Sequence, residues 1–242
     1  MRIRLGADTK KPEKMIETVM SRYHFREEDR DELTEVLRRL RLVIAPYAEY
    51  KINQHTTGVD IIDKGTSAVV AMSLGAGVDE LMSSLLKDER LQEAYMLDCL
   101  SSELLLEMYR EFNTSYARFH RRYVERYVFV GGSVPLTEMA GILEYLHDGA
   151  LAKEDVRGDL GDSNNQDVIT ANEYGVLTPS KSVVFYAILS ENPSTVCGGI
   201  CYSCDRAECE NRLDERLLAK SSNTELNYGY QRIFSQQNNE KK

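Results

Sequence analysis

Residues 69–108 read VVAMSLGAGVDELMSSLLKDERLQEAYMLDCLSSELLLEM, and this stretch predicts a strand, a turn and two helices in direct succession. The segment 66–73 is β-branched and apolar, which is typical of a buried strand. Residues 74–77 predict the turn, and apolar residues then recur at helical spacing over 78–88 and 90–117. A buried strand that leads into a long helical region indicates helices packed on a small sheet.

The rest of the chain extends this pattern in both directions. Helical spacing of apolar residues predicts helices over 11–24, 27–45 and from 135 to about 147. Strands are predicted within 48–63, as two strands around a glycine turn, and over 123–130 and 182–190, with a short strand or turn in 167–178. We therefore expect an α+β fold. A single domain over 1–220 contains a Gly-, Asp- and Asn-rich loop at 148–166, and a disordered tail follows over 221–242.

Composition excludes several classes of function. The chain has 242 residues and a net charge of −9, whereas proteins that bind nucleic acid usually present a basic face. The N-terminal residues contain no apolar run of the length that a signal peptide needs. Nor does any stretch approach the roughly 20 apolar residues of a membrane span. We expect no nucleic-acid or membrane partner and a cytoplasmic location.

Four cysteines lie close together near the C-terminus, at Cys197, Cys201, Cys204 and Cys209, with the spacing C-x3-C-x2-C-x4-C. Thiolates at such spacing can bind zinc or an iron–sulfur cluster, and the neighbouring Gly-Gly pair would let the backbone wrap tightly. Redox-active thiols and chemically inert thiols remain as alternatives. The fifth cysteine, Cys99, lies in an apolar helical stretch and is expected in the core.

Other polar and glycine positions allow two interpretations each. Asp98 interrupts an apolar helical run, and it is either a surface residue or a ligand contact. Gly131-Gly132 is either a plain strand-to-helix turn or a place where backbone approaches a ligand. The Gly75-x-Gly77 pair lacks the third glycine of a dinucleotide fingerprint and predicts a tight turn. Ser180 and Lys181 are adjacent and face apart in an extended chain, which excludes serine acyl-transfer chemistry.

Three stretches together resemble the activation, or reactivation, domain of cobalamin-dependent methionine synthase. The first is residues 69–108, where the matching residues are Leu74, Gly75, Leu97, Asp98 and Ser101. The second is EYGVLTPSKSVVFYAIL, where they are Glu173, Pro179, Ser180, Lys181, Ser182 and Val183. The third is CGGICYSCDRAECENR, which resembles the Cys-rich ending of stand-alone bacterial versions through Cys201, Cys204, Cys209 and Arg212. The resemblance covers about residues 60–215 and does not include the N-terminal helices.

The resemblance implies an activation-domain-like fold, with helices on a small, mostly antiparallel sheet and a Cys-rich C-terminal knuckle. It implies an accessory protein that docks on a corrinoid protein or a split cobalamin-dependent methionine synthase. That protein would support S-adenosylmethionine-dependent or reductive reactivation of cob(II)alamin, as part of a methyltransferase system in methionine biosynthesis. Cobalamin would come only with the partner. The corresponding candidate ligand residues are Asp98, Gly131, Gly132, Glu173, Pro179 and Lys181. Cys197, Cys201, Cys204 and Cys209 could hold an iron–sulfur cluster that passes an electron to cob(II)alamin, or equally a structural zinc.

A second hypothesis belongs to a different class of protein. The family's ligand loop usually contains a Gly-Tyr pair after an arginine, whereas this chain reads FVGGSVPL over residues 129–136. That difference favours a non-catalytic metal-binding or interaction module that kept the fold and lost S-adenosylmethionine binding. The sequence leaves both hypotheses open.

Overall fold

A computed structural model of the protein describes residues 1–6, 11–53, 62, 66–147 and 168–201. Three sequence predictions lie outside these residues, namely the second strand expected after residue 53, the loop at 148–166 and the tail over 221–242. Cys204 and Cys209 also lie outside them.

The strands of the described residues are β1 Arg2–Arg4, β2 Tyr47–Ile52, β3 Ser67–Ser73, β4 Tyr123–Phe129, β5 Thr170–Ala171, β6 Leu177–Thr178 and β7 Ser182–Ser190. Five of them form a sheet of order β1-β2-β3-β7-β4. All neighbouring strands pair antiparallel, so the expectation of an α+β fold with an antiparallel sheet is confirmed. A separate two-stranded hairpin is formed by β5 and β6.

Five helices accompany the strands in the described residues. They are α1 Pro12–Tyr23, α2 Arg30–Val43, α3 Gly77–Lys87, α4 Leu91–His120 and α5 Met139–His147. Short 3₁₀ turns at Glu27–Asp29 and Leu136–Glu138 lead into α2 and α5. Each lies where the apolar periodicity predicts a helix. None of these helices is long and apolar enough to cross a membrane.

Strand β3 is the centre of the molecule because it is buried along its whole length. Alternate side chains of a strand point to opposite faces, so Val70 and Met72 pack under the helices α1–α4, and Val69 and Ala71 pack on the side of α5. Two hydrophobic cores therefore share one sheet. This explains why residues 66–73 are apolar without alternation.

The long helix α4 is fixed to the N-terminal helices by buried ion pairs as well as by apolar contacts. Glu103 accepts a 2.5 Å hydrogen bond from Arg22 on α1, and the Tyr23 hydroxyl also donates to it at 3.3 Å. Glu93 accepts one from Arg39 on α2 at 3.0 Å. Both carboxylates are buried, and a buried carboxylate needs a positive partner.

The turn between β3 and α3 requires glycine at both of its glycine positions. Gly75 has φ +90°, in the region that disfavours side chains. At Gly77 a Cβ atom would lie 2.2 Å from the carbonyl oxygen of Val43, at the end of α2. The Gly-x-Gly motif is therefore a tight turn with close helix packing, as the sequence predicts.

Candidate functional site

The candidate site lies at the end of the sheet where β3 finishes and β7 begins. Ser73 is opposite Ser182 in the strand register, and the Ser182 hydroxyl donates to Ser73 Oγ at 2.9 Å. Ser73 Oγ also accepts the Gly75 amide at 3.0 Å. The Leu74 amide donates to the Lys181 carbonyl at 3.0 Å. These bonds join the first and second stretches of the resemblance directly.

Asp98 and Lys181 meet at this end of the sheet. The Lys181 ammonium is 2.8 Å from Asp98 Oδ1, and it donates to Ser102 Oγ at 2.9 Å and to the Asp98 carbonyl at 3.3 Å. Asp98 is an exposed residue on α4, with 56% of its side chain accessible, whereas the Lys181 side chain is 15% accessible. Asp98 therefore lies at the surface, and its partner is Lys181, in the loop that precedes β7.

Ser180 extends the same network to α3. Its amide donates to Asp79 Oδ2 at 2.8 Å, and its hydroxyl donates to Asp79 Oδ1. Ser180 and Lys181 thus contact different helices, as expected for adjacent residues of an extended segment. We call Asp79, Asp98, Ser102, Ser180 and Lys181 the β7 junction. Its hydrogen bonds use the lysine and both carboxylates to hold a loop, which is a positioning role and not proton transfer.

Pro179 and Glu173 lie just before the β7 junction in the β5–β6 hairpin and its exit. Pro179 is buried and follows a cis peptide bond. Glu173 is exposed in the hairpin turn, which is closed by a 2.9 Å bond from the Gly175 amide to the Asn172 carbonyl. The hairpin therefore leads straight into the β7 junction.

Gly131 and Gly132 form the turn after β4, at the same end of the sheet. The Gly131 amide donates to the Val134 carbonyl at 2.8 Å, and the Gly132 amide donates to the Phe129 carbonyl at 3.2 Å. Gly131 has φ +90°, which explains the glycine. Both amides are used inside the turn, and this geometry favours the plain-turn interpretation.

The cysteine segment follows the other end of β7 and passes along the edge strand β4. The Gly198 amide donates to the Glu125 carbonyl at 2.8 Å, beside an irregularity of the strand pairing. Cys197 and Cys201 are half-buried, and neither forms a disulfide. Among the residues that the structure describes, no group of three or more His, Cys, Asp or Glu could hold a metal ion.

Tyr127 on β4 interacts with Cys197. Burial, and after it the Cys197 thiol, hold the pKa of Tyr127 well above its usual value. The phenol therefore keeps its proton, and it donates to Asn113 Oδ1 at 2.8 Å. Cys99 lies elsewhere, in the core, where burial raises the pKa of its thiol to about 11.

Comparison of the chain with models of known protein families gave no match, and comparison with curated proteins gave none either.

Asp79 and Ser102 belong to the β7 junction although sequence reasoning assigned them no role. Ser102 follows Asp98 by four residues, and residues at that spacing share a helix face. That spacing was the one available signal for Ser102, whereas nothing local connects Asp79 to Ser180.

Proposed function

We propose that this chain is an accessory protein resembling the activation domain of cobalamin-dependent methionine synthase. In this proposal it docks on a corrinoid protein and supports S-adenosylmethionine-dependent or reductive reactivation of cob(II)alamin. The observation that carries the proposal is the 2.8 Å contact between Asp98 and Lys181. These residues come from two separate stretches of the resemblance, and 83 positions separate them in the chain.

The charges at the β7 junction suit the amino-acid end of S-adenosylmethionine, which carries one ammonium and one carboxylate. The exposed Asp98 carboxylate would bind the ammonium, and Lys181, whose three polar contacts all go to α4, would hold that carboxylate in place. Asp98 and the exposed Glu173 would contact the ligand, Lys181 would position Asp98, and Pro179 would lie in the loop that carries the lysine. S-Adenosylmethionine supplies the methyl group, so the role of this chain is to bind and orient.

The cysteine segment supplies the second part of the proposal. Cys197 and Cys201 are half-buried residues of the segment that follows β7, and their thiolates would coordinate zinc or an iron–sulfur cluster. With Cys204 and Cys209 they form the proposed ligand set. An iron–sulfur cluster would supply an electron for reduction of the partner's cob(II)alamin, and zinc would instead give the segment a structural role.

The alternative function is a metal-binding or interaction module without S-adenosylmethionine. The specific observation in its favour is that the Gly131 and Gly132 amides bond within their own turn. Backbone donors that are used in this way do not offer hydrogen bonds to a ligand.

Thermal unfolding with and without S-adenosylmethionine tests the two functions against each other. Ligand at 100 times its dissociation constant should stabilise the protein by about 2.7 kcal/mol. Lys181→Met should abolish this stabilisation, whereas Lys87→Met, at an exposed position on α3, should retain it. If millimolar S-adenosylmethionine leaves the unfolding of the unmodified protein unchanged, the alternative module is the better account.

Metal content is measured on the same anaerobic preparation, by visible absorption and by assays of iron, sulfide and zinc. Cys204→Ser should lower the metal content and the stability together, since metal-binding energy is also folding energy. Cys99→Ser is the matched control, because Cys99 lies in the hydrophobic core. A Cys204→Ser protein that keeps its full metal content would remove Cys204 from the proposed ligand set.

A further inference from the structure

Three exposed apolar side chains lie together beside the candidate site. Leu136, Tyr174 and Val176 are 44%, 72% and 61% accessible. They are contiguous because Leu136 lies over Gly175, where an added Cβ would be only 2.6 Å from Leu136 Cγ. We call Leu136, Tyr174 and Val176 the hairpin-tip patch. Its large apolar groups face solvent, although each belongs to an ordered turn.

The hairpin-tip patch is held rigidly by the backbone beneath it. Asn172 Oδ1 accepts the amides of both Tyr174 and Val176 at 3.0 Å. The Asn172 amide in turn donates to the Val176 carbonyl at 3.0 Å. The hairpin then enters the β7 junction, which binds its exit to α3 and α4. A surface that is already ordered loses little conformational entropy on binding a partner.

The chain segments that form the hairpin-tip patch are acidic. The two segments that form it, 129–147 and 168–178, contain Glu138, Glu144 and Glu173 and no lysine or arginine. All three glutamates are exposed. An apolar centre with an acidic rim is complementary to an apolar projection bordered by basic residues. A second copy of the same face is a poor partner, because it would bring glutamates against glutamates.

We infer that the hairpin-tip patch docks a partner protein whose apolar projection is flanked by lysine or arginine. The inference deepens the proposed function, on which the choice of a corrinoid protein as the probe rests. It assigns the contact to Leu136, Tyr174 and Val176. Glu138 and Glu173 contribute the charge that selects the partner.

The test measures binding of the purified corrinoid protein from the same cell by calorimetry. The double substitution Tyr174→Ser and Val176→Ser should weaken binding at least tenfold, because apolar anchors at an interface centre dominate its energy. Glu173→Lys should also weaken binding, and the loss of affinity should grow as the salt concentration is lowered. Leu42→Ser is the control, since Leu42 is 73% exposed on α2 and should leave the affinity within twofold.

A photo-crosslinking amino acid at position 174, compared with one at position 42, makes the test independent of the probe. An identified cross-link to a different protein, at 174 alone and lost with Glu173→Lys, supports the inference even if the corrinoid protein does not bind. In that case the proposed function fails and the docking face stands. If the Tyr174→Ser, Val176→Ser variant and the unmodified protein bind the corrinoid protein equally well, the inference is overturned and the proposed function stands. A cross-link to a second copy, or none at 174, also overturns it.

Discussion

Lys181 makes three polar contacts with α4, and it connects the loop before β7 to that helix. Lys181→Met should lower the free energy of unfolding by about 1 kcal/mol, since two hydrogen bonds and a half-exposed ion pair are lost together. Asp98→Asn should cost less, because water reaches the Asp98 side chain. Urea denaturation of both variants and of the double variant measures the coupling between the two residues. A coupling of zero would mean that the ion pair does not hold the loop.

Tyr50 connects stability to pH at the residue scale. It is buried on β2, its hydroxyl is 2.8 Å from His120 Nε2, and burial raises the pKa of Tyr50 to about 12. The folded phenol therefore keeps its proton above pH 10, where an unfolded tyrosine begins to lose it. The stability that this proton provides is complete below pH 10 and is lost as pH rises through about 12.

Tyr50→Phe should consequently lose less stability between pH 10 and pH 12 than the unmodified protein does. Urea denaturation at a series of pH values measures the difference in slope. Tyr174→Phe, at an exposed position in the hairpin turn, is measured alongside as the control substitution. Parallel curves for Tyr50→Phe and the unmodified protein would show that Tyr50 does not titrate differently in the folded state.

At the scale of elements, the contact between α2 and α3 depends on a single missing side chain. An alanine at Gly77 would place Cβ 2.2 Å from the Val43 carbonyl oxygen, and backbone cannot move away as a flexible side chain can. We expect Gly77→Ala to destabilise the protein by about 2 kcal/mol or more, despite the roughly 1 kcal/mol better helix propensity of alanine.

Gly141→Ala is the matched control for this prediction. Gly141 also lies in a helix, α5, and nothing lies within 4 Å of the added Cβ. Helix propensity acts alone at this position, so the substitution should stabilise the protein by up to about 1 kcal/mol. Chemical denaturation measures both variants, and a stabilising effect of both would show that α2 and α3 separate without cost.

The elements could be predicted from the sequence because each depends on local information. The apolar spacing of α4 and the β-branched run of β3 indicate their structure directly, and Gly75 and Gly77 mark the turn between them. The pairing of Asp98 with Lys181 could not be predicted from spacing, because tertiary packing alone brings α4 to the start of β7. For the same reason Asp79 and Ser102 had no assigned role. The sequence resemblance indicates Asp98 and Lys181 as candidate ligand residues, but it does not indicate that the two side chains contact each other.

At the scale of the whole molecule, two hydrophobic cores share the strands β3 and β7. Val69 is buried on the α5 side and its neighbour Val70 is buried under α1–α4. If β3 detached from one core, the other core would also be exposed to water. We therefore expect one cooperative unfolding transition in the described domain.

Val69→Ala and Val70→Ala test this expectation from the two sides of one strand. Each substitution should lower the free energy of unfolding of the same single transition by about 2 kcal/mol, the cost of a small cavity in a packed core. Far-ultraviolet circular dichroism reports the helices, most of which lie on one face, and tyrosine near-ultraviolet signals report both faces. Coincident curves would mean that a ligand at the β7 junction stabilises the whole domain, so that thermal unfolding is a valid readout of binding. Separate transitions, with Val69→Ala shifting only one, would instead limit the effect of a ligand to the face that it contacts.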